Sequence, residues 1–289
     1  MVRFKFPFFA TKTFRVCGFL LIIEFCVPWR FMISASEPMM WRWENSIGRF
    51  KIHCDFEPQH VRRLEEELQS LSHEISQTLE IETIGEPIHI VLFEKEFEYQ
   101  RYLKHYFPSL PERRAIFIQD RGPGMLFGFW HSEIDTDIRH EVTHALLNDQ
   151  QHGLPLWLDE GIAEYMEAPL AQRFAGHLYL SKCCLQFSDE TPPDLQRLEQ
   201  ITSLSEFGDL EYQQSWAWIH FLLHRSPRTR QLLVSHLADL RSGKTTAPVS
   251  RKLWQCLQDP YSEFTEHFRA IHLGQLTRIH GDEHSSEPR

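Results

Sequence analysis

Apolar and polar residues alternate over residues 49–54, and this period of two predicts a half-buried strand. Over residues 58–80 the apolar positions instead recur at steps of three and four, which predicts a long amphipathic helix. An apolar run at residues 88–93 predicts a second strand, and the pattern at residues 94–107 predicts a second helix. The fold is therefore expected to begin with strand, helix, strand and helix.

The next part of the chain predicts a hairpin followed by helices. Residues 115–119 and 125–131 have the pattern of two short strands, and the turn between them contains glycine and proline. Helices are predicted at residues 136–148, 156–167, 171–185, 211–223, 228–240, 249–257 and 261–272. A mixed first half and a helical second half predict an α+β fold.

These elements fit one domain over residues 41–275, with an α+β part at 41–150 and a helical part at 151–275. A hydrophobic content of 42% is sufficient for a real core. Residues 276–289 are expected to form a polar tail. The net charge of -10 repels polyanions, so no nucleic-acid partner is expected.

The N-terminal 35 residues have the features of an export signal. Basic residues precede an apolar run at residues 16–23, and small residues follow it. The run is shorter than the roughly 20 residues that a membrane-spanning helix needs, and Glu24 interrupts it. An uncleaved membrane anchor is one alternative, and a cytoplasmic protein without a signal is another. A signal or an anchor predicts a secreted, periplasmic or cell-envelope protein, which is the favoured interpretation.

Four of the six cysteines lie beyond this N-terminal segment, namely Cys54, Cys183, Cys184 and Cys256. Their spacing contains no Cys-x-x-Cys pair. Buried free thiols and one or two disulfides both remain open, because spacing alone assigns no pairing.

The segment His-Glu-Val-Thr-His at residues 140–144 is the strongest candidate for chemistry. On a helix, His140 and His144 stand one turn apart on one side, where both imidazoles can reach one metal ion. The apolar positions of this helix lie on the other side, so the pattern places both histidines away from the core. Because the chain holds 17 histidines, a chance match on a solvated helix face is the alternative.

A second helix at residues 156–167 repeats this arrangement with acids. Glu160 and Glu164 are again four residues apart and face away from the apolar side of that helix. A carboxylate as third ligand would leave the fourth position of a tetrahedral zinc open for water. His152 is the alternative third ligand, although its distance from His144 does not fit the spacing of three-histidine peptidase sites.

Together these segments resemble the gluzincin metallopeptidases, the clan of thermolysin-like and aminopeptidase-like enzymes, and within it a group of bacterial peptidase-like domains. The resemblance extends loosely over residues 49–240. It is carried by His-Glu-Val-Thr-His at 140–144, Trp-Leu-Asp-Glu-Gly-Ile-Ala-Glu-Tyr at 157–165 and Tyr-Gln-Gln-Ser-Trp-Ala at 212–217. It implies a zincin-like fold, a Zn²⁺ cofactor and a peptide or unfolded protein as substrate.

The resemblance also implies individual roles. Glu160 would be the third metal ligand, although Asp159 precedes it where the family carries Asn. Glu164 would be an acidic partner that orients a ligand histidine, with a surface acid as the alternative. Tyr212 would stabilise the transition state, with a buried structural tyrosine as the alternative.

The expected activity is zinc-dependent hydrolysis of a peptide bond. Glu141 would take a proton from the attacking water and later deliver it to the leaving amine. Tyr212 is the candidate donor to the carbonyl oxygen, and His131 or His220 could replace it. The resemblance implies that the strand predicted at residues 125–131 is an edge strand that pairs with an extended substrate, with an ordinary core strand as the alternative. The alternative is a non-catalytic zinc- or peptide-binding module of the cell envelope.

Overall fold

A computed structural model describes residues 13–16, 19–22, 41–57, 61–119, 123–148, 154–187 and 191–284. Five strands form a mixed sheet in the N-terminal half, and the C-terminal half is mainly helical, which confirms the predicted α+β class. The strands are β3 (Trp43–Ile47), β4 (Phe50–Cys54), β5 (Ile88–Phe93), β6 (Ala115–Gln119) and β7 (Gly124–Phe129). A hairpin of two short strands, β1 (Thr13–Val16) and β2 (Phe19–Ile22), extends the sheet beyond β6.

The strand order is β2-β1-β6-β7-β5-β4-β3. Strand β5 is parallel to both of its neighbours, β4 and β7, and all of its residues are buried, as a central parallel strand requires. Strands β6 and β7 are antiparallel, which confirms the predicted hairpin. Strand β7 is interior, so the prediction that residues 125–131 form an edge strand for substrate is wrong.

Ten helices follow the chain between and after the strands of the described residues. They are α1 (Val61–Leu79), α2 (Glu96–Tyr106), α3 (Ile134–Leu147), α4 (Leu156–Glu167), α5 (Leu178–Phe187), α6 (Leu195–Gln200), α7 (Asp209–His224), α8 (Pro227–Arg241), α9 (Val249–Cys256) and α10 (Pro260–His284). Helices α1 and α3 pack in the large core on one face of the sheet, together with the helical half. Helix α2 packs in a smaller core on the other face.

The differences from the predicted elements have physical causes. Strand β3 has an exposed middle and α6 has only six residues, so neither produces a recognisable period. Helix α5 begins at Leu178 rather than at residue 171, because a series of turns follows α4. Helix α10 continues to His284, through most of the segment predicted as a polar tail.

The export signal or anchor predicted at residues 1–35 lies outside the described residues, apart from strands β1 and β2. Among the described helices, none has both the length and the apolar character needed to cross a bilayer. Cys54, Cys183, Cys184 and Cys256 are free thiols, and the first three are buried. Of the two alternatives for these cysteines, the structure therefore has free thiols.

Candidate metal centre

Helices α3 and α4 pack against each other and bring the predicted ligands together. His140 and His144 extend from α3 towards Glu160 of α4. The exposed fraction is 9% for His140 and 1% for each of the other two residues. The alternative of a solvated helix face therefore does not hold, because α4 covers that face.

The three ligand atoms form a compact triangle. His140 Nε2 and His144 Nε2 are 3.1 Å apart, and Glu160 Oε2 is 3.5 Å from the first and 3.6 Å from the second. Zinc bound to nitrogen and oxygen at about 2.0–2.1 Å in tetrahedral geometry would separate its ligand atoms by about 3.3 Å. The triangle thus has the size of one face of a zinc tetrahedron.

Glu160 gives a second indication that the triangle fits a cation. Its Oε2 atom is buried without a hydrogen-bond partner among the described residues. Burial raises the pKa of Glu160, but the charges of His144 and His140 outweigh this effect and lower the pKa overall. A buried carboxylate without hydrogen bonds is costly unless a cation satisfies it. The residues present therefore fit a divalent metal ion.

Each histidine is oriented from behind by an acid. His140 Nδ1 lies 2.9 Å from Glu167 Oε1 in a hydrogen bond, which directs the Nε2 lone pair towards the triangle. His144 Nδ1 lies 3.1 Å from Asp159 Oδ1, and Asn148 Nδ2 donates to the same carboxylate at 3.2 Å. Asp159 thus places a carboxylate behind His144.

Glu164 occupies a different place from the one the resemblance implies. Its carboxyl lies in a group with His140 and Glu167, but the hydrogen bond to the His140 ring is made by Glu167. Glu164 is 8% exposed, so it is not a surface acid either. Burial, together with the charge of Glu167, raises the pKa of Glu164 to about 8. The predicted orienting role is corrected to Glu167, which lies nearly one turn later on the same helix face.

Glu141 is held close to the triangle by the sheet. Its Oε2 accepts a hydrogen bond of 2.7 Å from the backbone N–H of Phe117 in β6. Burial raises the pKa of Glu141, against the opposing charges of His140, His144 and Arg113. A raised pKa and a fixed position are both properties of a general base.

Tyr212, at the start of α7, is half-buried beside the triangle. Its ring packs edge-on against Phe207 at 4.9 Å between centroids, and its hydroxyl interacts electrostatically with Glu160 and His144. Burial raises the pKa of Tyr212 to about 12, so the hydroxyl keeps its proton at neutral pH. The structure therefore places an available hydroxyl donor next to the ligands.

A close helix contact gives Tyr212 this position. Gly161 of α4 lies against Ser215 of α7, and a Cβ at Gly161 would come within 2.9 Å of the Ser215 carbonyl group. Glycine permits this approach because it has no side chain. As Glu160 precedes Gly161 and Tyr212 lies one turn before Ser215, the contact brings Tyr212 towards the ligand.

The ring nitrogens of the two alternative donors lie beside groups other than the triangle. His131 Nδ1 accepts from the Glu133 N–H at 3.1 Å, and its Nε2 faces Asp137 at 3.2 Å. His220 is fully buried and bonds to His267 and to the carbonyl oxygen of Phe174. Neither histidine is therefore suited to replace Tyr212.

Sequence reasoning missed Arg113, which precedes β6. The guanidinium lies beside Tyr212 and within electrostatic range of Glu141 and Glu160. It also missed a buried ion network behind α3, in which Arg139 bonds to Glu67, to Glu74 and to the Met166 carbonyl. The spacing of the acids along α4 could have identified Glu167 as a site residue, but nothing in the local sequence identifies Arg113 as one.

No protein-family model and no curated protein matches the chain. The assignment of its function therefore depends on the three sequence segments and on the geometry of the centre.

Proposed function

We propose that this protein is a zinc-dependent metallopeptidase of the gluzincin type. The observation that carries the proposal is the buried triangle of His140 Nε2, His144 Nε2 and Glu160 Oε2, with sides of 3.1 to 3.6 Å. Two imidazoles and one carboxylate in this arrangement are typical ligands of catalytic zinc, and they leave a fourth position open.

The residues around the triangle have the chemistry that the reaction requires. When bound, zinc lowers the pKa of a water molecule and polarises the carbonyl group of the substrate. Glu141, fixed by Phe117, takes the proton of the attacking water and transfers it to the leaving amine. The Tyr212 hydroxyl donates a hydrogen bond to the carbonyl oxygen as its negative charge develops.

Strand β6 supports an extended peptide as the substrate. It is antiparallel to β7, and among the described residues β1 pairs only with Ile118 and Gln119 on its outer side. The Phe117 N–H is taken by Glu141, so a peptide would pair with the outer backbone just before it, at residues 115 and 116. Export to the cell envelope, with membrane attachment through the N-terminus as an option, remains a prediction from residues 1–35.

The experiment compares wild-type protein, Glu141→Gln and the control Glu133→Gln, an exposed acid at the start of α3. Each is stripped of metal, reloaded with zinc and incubated with unfolded peptide. We expect about one zinc per chain in all three, and hydrolysis in all except Glu141→Gln.

Two outcomes would contradict the proposal. A zinc stoichiometry near zero after reloading would refute the assignment of the metal centre. Unchanged turnover in Glu141→Gln would refute the assignment of Glu141 as the base. Zinc binding without hydrolysis by the wild-type protein would instead favour the non-catalytic binding module.

A further inference from the structure

Arg113 lies beside the metal centre. It belongs to the segment that leads into β6, and both it and Tyr212 are half-buried, whereas the three ligands are buried. Its guanidinium lies beside the Tyr212 hydroxyl and interacts with Glu141 and Glu160. These two side chains are thus the more exposed neighbours of a buried site.

Arg113 has no close carboxylate partner among the described residues. The adjacent Arg114 pairs with Asp137 at 2.6 Å, but no such ion pair involves Arg113. The two carboxylates within its electrostatic range have other tasks in the proposed reaction, because Glu160 binds the metal and Glu141 accepts a proton. Arg113 is then a partly desolvated cation, and the binding of a further anion beside it is favourable.

We propose that Arg113 binds a carboxylate of the substrate, so that the enzyme selects peptides carrying a negative charge next to the scissile bond. This inference rests on the proposed peptidase function. The planar guanidinium presents paired N–H donors that match the two oxygens of a carboxylate. A free α-amino group beside the guanidinium would be repelled, so Arg113 does not suit recognition of a substrate N-terminus at this place.

Two sources of carboxylate are open, the C-terminus of the peptide and the side chain of Asp or Glu. Three isotope-labelled pools of mixed N-acetylated peptides distinguish them. The first lacks Asp and Glu and ends in a free acid, the second is its C-terminal amide, and the third is an amide pool with a central Glu. They are mixed in equal amounts with zinc-loaded protein.

Binding and hydrolysis are measured separately. Peptides retained by zinc-loaded Glu141→Gln are quantified by mass spectrometry after ultrafiltration, and cleavage is followed with proteins that keep Glu141. In both, Arg113→Gln removes the charge, Arg113→Lys keeps it without the planar fork, and Arg101→Gln removes an exposed arginine of α2 as a control. Zinc content is determined for every variant.

We expect a carboxylate-bearing pool to be enriched about tenfold to a hundredfold over the neutral amide pool, the range for a hydrogen bond to a charged group. Arg113→Gln should abolish the enrichment and raise KM for the carboxylate-bearing peptides, while its zinc content stays unchanged. Arg113→Lys should retain part of the enrichment, and the control Arg101→Gln should retain all of it. Equal retention of the three pools, or enrichment that survives Arg113→Gln, would overturn the proposal. Enrichment without hydrolysis would refute the peptidase function instead.

Discussion

Replacing Glu167 tests how the metal site is held together. Glu167 accepts a hydrogen bond of 2.9 Å from His140 Nδ1, which fixes the ring with Nε2 towards the triangle. In Glu167→Gln the charge is lost and the amide can present its NH₂ group to the ring. Removing such an outer partner typically weakens metal binding about 10- to 100-fold, or about 1.4 to 2.7 kcal/mol.

The weaker zinc binding of Glu167→Gln should also lower the thermal stability of the zinc-loaded protein. With zinc at about 100 times the wild-type Kd, binding stabilises the fold by about 2.7 kcal/mol. A Kd raised 10- to 100-fold leaves about 1.4 to 0.4 kcal/mol at that zinc concentration. At about 2–4 °C per kcal/mol, the variant should melt about 3–9 °C lower than the wild type in zinc. In a chelator the difference should be small.

Glu164→Gln is the matched control. Glu164 makes no hydrogen bond to a ligand histidine among the described residues, and its pKa is raised to about 8 by burial and by Glu167. It is therefore largely protonated at pH 7, so the isosteric amide should change zinc affinity little. Chelator competition gives both dissociation constants. If Glu164→Gln weakens zinc binding as much as Glu167→Gln, the role assigned to Glu167 is incorrect.

Three further substitutions test other parts of the structure. Gly161→Ala places a methyl group 2.9 Å from the Ser215 carbonyl, so it should destabilise the fold by about 1–3 kcal/mol and reduce hydrolysis while zinc content stays near one per chain. Glu74→Ala leaves the buried Arg139 guanidinium without one of its carboxylates, and urea unfolding should show a loss of about 3–5 kcal/mol. Burial lowers the pKa of His236 to about 4, so the unfolded chain binds more protons below about pH 6.5 and this residue destabilises the fold on acidification. His236→Leu should therefore gain about 2 kcal/mol relative to wild type between pH 7 and pH 5.

Each of the three has its own refuting result. Unchanged stability in Gly161→Ala would mean that α4 and α7 are not in close contact. For Glu74, the control Glu66→Ala, at an exposed acid of the same helix, should have almost no effect, and an equal loss of stability in both variants would mean that the ion network does not cause the loss. For His236, a constant difference in stability at both pH values would contradict the lowered pKa.

The sequence predicted most of the fold because its main elements have clear periods. Strand β5 and helix α4 have the predicted bounds, and the spacing in α3 placed both histidines on one side. The burial of that side was not predictable, since it depends on the packing of α4 and not on α3. For the same reason, the sequence led to Glu164 rather than Glu167 as the acid that orients His140.

The location of each part of the site in the chain suggests how its functions separate. All three candidate metal ligands, Glu141 and both orienting acids belong to α3 and α4, which are adjacent along the chain. Tyr212 and Arg113 come from α7 and from the segment before β6, far away in sequence. In the proposed enzyme, metal binding is thus a property of one helix pair, whereas transition-state stabilisation and substrate selection depend on the packing of the whole domain. Changes that displace α7, such as Gly161→Ala, should therefore reduce hydrolysis well before they reduce zinc binding.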